Sequence, residues 1–124
     1  MRATSAGLVL AVLLSGCPTG QEDPVCVHDP PLTYDNFGRG FMDQFCNGCH
    51  SSIVPVEDRN GAPLDYDFDS YEGVVYWADK IKPSTDNGVM PPGGGPTEDE
   101  LATFDEWMHC QVMPDNEQYW FGAQ

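Results

Sequence analysis

The pentapeptide Cys46-Asn47-Gly48-Cys49-His50 sets two thiols and an imidazole within a single turn of chain. Two cysteines separated by two residues and followed at once by histidine form the C-x-x-C-H pattern of c-type haem attachment. The spacing has a physical cause. Residues three and four apart share a helical face, so Cys46 and Cys49 can both reach the vinyl groups of one porphyrin and close thioethers. His50 is then held beneath the iron and supplies a neutral imidazole nitrogen. Two other chemistries use similar cysteines. A thioredoxin-like dithiol wants a βαβ setting, and no such pattern surrounds residues 46–49. A closed zinc site wants four N or S ligands, commonly from a second cysteine pair, and the chain has no second C-x-x-C.

On the N-terminal side of the pentapeptide, Phe37, Phe41 and Phe45 recur every four residues. This is a helical stripe, predicting a first helix that starts near a cap at Asp35 or Asn36 and runs to about Cys49. Gly38 and Gly40 weaken such a helix in isolation but let another backbone come close.

On the C-terminal side, Gly61-Ala62-Pro63-Leu64 marks a turn. Asp65, Asp67 and Asp69 then alternate with Tyr66 and Phe68. A calcium loop of the EF-hand type wants glycine at its sixth place and glutamate at its twelfth. Ser70 and Tyr76 stand there instead, which favours a solvated acidic loop ending in a helix cap. Tyr71, Val74, Val75, Ala78 and Ile81 predict a second helix over 70–81, ended by Pro83. Trp77 lies off that stripe, either against a cofactor edge or in ordinary packing.

Residues 83–97 read as a long Pro- and Gly-rich loop, and loops of this length are usually functional or disordered. Within it, Pro91 restricts Met90 to extended conformations and can project its thioether stiffly toward the open face of a haem. Thr97 and Glu100 form a capping box for a last helix, with acidic residues at its positive end. Leu101, Phe104, Trp107 and Met108 give that helix an apolar face ending near Cys110. Met113-Pro114 repeats the Met-Pro motif but lies beyond the helix, so Met90 is the favoured thioether. Met42 and Met108 read as core. His109 is an alternative imidazole, better explained as a helix-terminal charge. His28 reads as a surface residue, and Arg59 either pairs with a haem propionate or is simply exposed.

The chain's 124 residues suffice for one domain. Arg2 and the apolar run Leu8 to Leu14 resemble a secretory signal, too short to span a bilayer as a permanent helix. Leu14-Ser15-Gly16-Cys17 resembles the bacterial lipobox, in which the cysteine is lipidated and becomes the new N-terminus. The alternative is an ordinary signal peptide with Cys17 incidental; the cysteine's place at the end of the apolar run favours lipidation. The predicted organisation is therefore a lipoprotein signal over 1–16, an acidic Pro-rich tether over 17–33, a domain over 34–112 and an acidic aromatic tail over 113–124. An acylated chain is anchored to a membrane rather than spanning it.

Formal net charge is −15, and losing residues 1–16 removes one basic residue and no acidic one, leaving −16. Such a surface repels nucleic acid and anionic headgroups and steers basic partners toward it, or else serves solubility alone. After Cys17 and the pair at 46 and 49, Cys26 and Cys110 remain. In an oxidising compartment two such cysteines tend to pair, which would staple the N-terminal segment to the end of the last helix.

From about Phe37 to Cys110 these motifs resemble a small class I type c cytochrome domain, here in a bacterial membrane-anchored lipoprotein form. The resemblance implies a mainly α fold, with three to four helices wrapped around one covalently bound haem. It implies that the first and last helices cross with a small residue at the contact, a place Gly38 fits. The aromatic expected one turn later falls on Met42, with Phe41 beside it. A proline carbonyl orienting the haem histidine is also implied, and Pro63 resembles that element. The implied function is electron transfer rather than catalysis, with haem c held by Cys46 and Cys49 and its iron by His50 and Met90. Redox proteins with basic docking surfaces are the implied partners, at the periplasmic face of a membrane. A haem-binding sensor or a haem subunit of a larger redox complex is the competing expectation. A peroxidase needs an open iron position and a distal acid–base group, and no histidine or arginine is well placed for that role.

Overall fold

The helices are set by local signals at their starts and by burial along one face. The computed structural model describes residues 26–122; the signal segment, Cys17 and the first part of the tether lie outside the described residues. Thr33 begins the first helical stretch. Its hydroxyl accepts from the Asn36 N–H at 3.2 Å, and the Asn36 side chain accepts from the Thr33 N–H at 2.6 Å. Such reciprocal bonds satisfy two of the donors a helix start leaves open. The cap is thus Thr33, not Asp35 or Asn36. A π-helical turn, Tyr34–Gly38, runs directly into α1, Arg39–Phe45.

The remaining elements are α2 (Tyr71–Tyr76), α3 (Ala78–Asp86), α4 (Glu98–Trp107) and α5 (Met113–Phe121). A short 3₁₀ turn, Val56–Asp58, precedes them, and a π-helical stretch, Met108–Val112, joins α4 to α5. The fold is mainly helical, with no strand among the described residues. No helix among them is long and apolar enough to cross a membrane.

The core lies where α1 meets α4. The Phe41 and Phe104 rings stack at 4.3 Å, and Trp107, wholly buried, meets Phe37 edge-on. Met42, Val74, Ala78, Met108 and Val112 complete the centre with no exposed surface. Gly38 sits against this cluster so closely that a Cβ would clash with the Trp107 ring at Cζ2. Alanine at an exposed helix position gains ~1 kcal/mol over glycine in propensity. Overpacking a core costs about 1–3 kcal/mol. The clash outweighs the gain, and a Gly38→Ala protein is expected to unfold at lower urea concentration with an unchanged m-value.

Besides the start of the first helix, several helix boundaries differ from the sequence expectation, and α1 ends at Phe45 rather than near Cys49. The second helix breaks at Trp77, whose backbone leaves the helical region (φ −98°, ψ 10°). It then resumes as α3 and passes through Pro83 to Asp86. Proline inside a helix removes one backbone bond and crowds the preceding turn. Here burial of Ala78 and Ile81 holds the element, and Lys82 pairs with both Asp86 and Asp105. The loop is correspondingly shorter, from 87 to 97. The last helix does not stop at Cys110: the π-helical stretch Met108–Val112 leads straight into α5, with Pro114 near its start. The expected boundary between 112 and 113 therefore falls within continuous helix. Asn116 is buried and donates to the Val75 carbonyl at 2.7 Å, and the Tyr71 hydroxyl donates to Asp115 at 2.5 Å. The aromatic tail packs on α2.

Cys26 and Cys110 are joined as a disulfide, with Cα atoms 5.9 Å apart. For a loop of 84 residues the chain-entropy argument gives ~4–5 kcal/mol. Glu106 reinforces the staple. Its carboxylate accepts from the Val27 and His28 N–H groups at 2.8 and 2.9 Å and contacts His28 Nδ1 at 2.9 Å. The His28 N–H foremost, despite burial, holds the Glu106 carboxyl below its usual range. His28 is half exposed but fixed, and residues 26–28 are clasped to α4 rather than free.

Candidate cofactor pocket

The pentapeptide forms its own turn beyond α1 rather than the helix's last turn. Cys46 N–H donates to the Met42 carbonyl at 2.9 Å, and His50 N–H donates to the Cys46 carbonyl at 2.9 Å. This keeps Cys46, Cys49 and His50 along one wall of a cavity of about 310 Å³.

The chain from 66 to 69 clamps His50 from behind. The Tyr66 carbonyl lies 2.9 Å from His50 Nδ1. A carbonyl only accepts, so Nδ1 carries the proton and Nε2 keeps its lone pair. Phe68 N–H donates to the His50 carbonyl at 2.8 Å, and the Phe68 ring stacks on the imidazole at 4.4 Å. Asp69 accepts from the Ser51 hydroxyl at 2.8 Å and from Ser52 N–H at 2.9 Å. Burial raises the Asp69 carboxyl, but these serine bonds outweigh it and hold the group below its usual range. Burial, helped by the Arg59 charge, pushes the His50 imidazole below its ordinary value, against the opposing pull of the Tyr66 carbonyl and Asp67. The ring is therefore neutral at neutral pH, the state a metal needs.

The expected carbonyl partner of His50 is corrected here. Pro63 lines the cavity, but the bond comes from Tyr66. The acidic loop is solvated at Asp65 and Asp69 and ends in the Ser70 cap of α2, as expected. Asp67 is partly buried and holds Arg59, Asp69 also accepts from two serines, and Tyr66 and Phe68 turn inward. That period-two alternation was the available signal for Tyr66 and Phe68.

Cys46 and Cys49 are free thiols. Burial pushes the Cys46 thiol up to about 12. Redox-active dithiols lower a thiol instead, so the protonated Cys46 does not suit a thioredoxin-like site. Among the described residues, no group of three or more His, Cys, Asp or Glu gathers that could hold a metal ion.

Met90, Pro91 and Pro92 line the same cavity as the pentapeptide. Met90 N–H donates to the Ser84 carbonyl at 2.9 Å, which ties the loop to the end of α3. Met113 packs against the core, His109 is exposed, and neither lines the cavity. Trp77 stands behind Tyr66, stacked at 3.9 Å with its indole N–H on the Asp65 carbonyl, which is ordinary packing. The other walls are largely apolar, with Phe41, Phe45, Phe68 and Ile81 among them.

Arg59 is not exposed. Its side chain is 1% accessible, and Nη2 donates to Asp67 Oδ1 at 2.5 Å and to the Tyr66 carbonyl at 3.3 Å. Its Nε is buried without a partner. Sequence reasoning missed how deeply this cation lies, because nothing local distinguishes it from a surface arginine. Of five basic residues in the chain, Arg59 and Lys80 both line this one cavity. No family model, curated protein or solved structure matches the chain.

Proposed function

We propose that this chain is an electron carrier of the small class I type c cytochrome kind, with one covalent haem, exported and lipid-anchored through Cys17 at the periplasmic face of a membrane. One observation carries the reading: a single cavity gathers Cys46, Cys49, His50 and Met90 and leaves out Met113 and His109. When bound, haem supplies one-electron exchange between Fe(III) and Fe(II).

The chain's residues fit that group. Two thiols stand ready to form thioethers. His50 presents Nε2, its tautomer fixed by the Tyr66 carbonyl, and such an outer bond orients a ligand and raises its basicity. Met90 offers a thioether, and Met/His ligation raises the potential relative to histidine alone. With His50 and Met90 both available to hold the iron, exogenous ligands would find no open site, which suits carriage over catalysis. Apolar walls exclude water, and the orphaned Nε of Arg59, with Lys80 at the rim, complements carboxylates of the porphyrin.

Export from a bacterial host that attaches haem to secreted proteins tests the reading. A pyridine haemochrome assay on the purified protein is expected to show a single haem that resists acidified organic solvent. A colourless product, or a pigment that washes out, overturns it.

A further inference from the structure

We infer that Arg59 is a positioning residue that raises the reduction potential by sharing the Tyr66 carbonyl with the axial histidine. The inference rests on the haem reading above. His50 Nδ1 and Arg59 Nη2 converge on one oxygen, at 2.9 and 3.3 Å. The oxygen has two lone pairs and serves both donors. A guanidinium bond draws electron density from that carbonyl and weakens it as an acceptor for the imidazole N–H. His50 then keeps more neutral-imidazole character and donates less charge to iron.

The charge itself acts in the same direction. One electron from a donor converts Fe(III) to Fe(II) with no proton exchanged, and the charge at the iron falls by one. A buried cation on the cavity wall favours that product. Asp67 does not cancel it, because Arg59 is 1% exposed while Asp67 is 25% exposed and better screened by water. Of the two charges, the Arg59 cation is the more deeply buried and the less screened, and it lines the pocket.

Three variants of the haem-loaded protein test this by spectroelectrochemical titration. Arg59→Gln is expected to lower the reduction equilibrium constant about tenfold, which is ~59 mV for one electron. Arg59→Lys keeps the charge and is expected to recover most of that loss. Asp67→Asn removes the counter-charge and is expected to move the potential the opposite way, upward. Proton NMR of the reduced Arg59→Gln protein is expected to show the His50 Nδ1–H resonance at lower field, as the released carbonyl accepts more strongly. A merely structural arginine predicts that Arg59→Gln and Asp67→Asn both loosen the pocket and shift the potential the same way. That result, or no shift in either, overturns the inference while the protein stays red. A protein without covalent haem instead overturns the haem reading and this inference with it.

Discussion

On the proposed haem reading, a Met90→Ala protein is expected to bind carbon monoxide in its reduced form and to have a reduction potential lower than the parent's by more than ~59 mV, a tenfold change in the reduction equilibrium. The parent is expected to resist carbon monoxide. The expectation follows from the loop's construction. Met90 is held by the Ser84 carbonyl at its N–H and followed by Pro91 and Pro92 on the same wall. Removing the thioether would take one proposed iron ligand away without loosening α3, whose end is tied through the backbone bond from Met90 to Ser84. Met113→Leu serves as the control. Met113 packs against the core, and a Met-to-Leu exchange conserves volume and costs less than ~1.5 kcal/mol. Its potential and indifference to carbon monoxide are expected to match the parent. If Met113→Leu opens the iron and Met90→Ala leaves spectrum and potential unchanged, the two methionines have been assigned the wrong way round.

The second large effect concerns the thiols. A Cys46→Ala, Cys49→Ala double variant is expected to lose all covalent haem, its remaining pigment extracting into acidified organic solvent. Single variants are expected to keep one thioether. Before loading, Cys46 behaves as an apolar wall group. With its pKa pushed up to about 12 by burial, the thiol outnumbers its thiolate by about 10⁵ at pH 7. Alkylation of Cys46 by iodoacetamide at neutral pH is accordingly expected to be far slower than that of a solvent-exposed cysteine. Rapid alkylation, or retention of acid-resistant haem by the double variant, contradicts the assignment.

Much of this arrangement was legible because its signals are local. The Phe37, Phe41 and Phe45 stripe identifies α1. Thr97 and Glu100 cap α4 as their spacing indicates, with bonds of 2.8 and 3.2 Å. Cysteine counting pairs Cys26 with Cys110. Gly38 lies against the last helix, where a side chain has no room. The failures share a different character. Proline statistics place a stop at Pro83, but Lys82 also pairs with Asp105 on α4 and helps to hold α3 through it, a contact 23 residues away that no local window contains. Tyr66 rather than Pro63 meets His50 because the turn at Gly61 carries the chain three residues further before it closes. Arg59 is buried only because Asp67, eight residues on, returns to it. Glu106 finds Val27 and His28 across 79 and 78 residues, a contact that no periodicity encodes.

The disulfide between Cys26 and Cys110, in the π-helical stretch after α4, would also limit how far the domain can stray from a lipid that holds it. Without the bridge, the leash from an acylated Cys17 would extend to the first helical turn. With it, only eight residues would lie between a lipidated Cys17 and the fixed point at Cys26, a contour of about 30 Å at full stretch. Pull on the anchor is delivered to the junction of α4 and the π-helical stretch, not to the chain on either side of His50. If the chain is the lipid-anchored carrier proposed, it would be confined to a thin layer above the bilayer, and partners would have to present their redox centres within that layer.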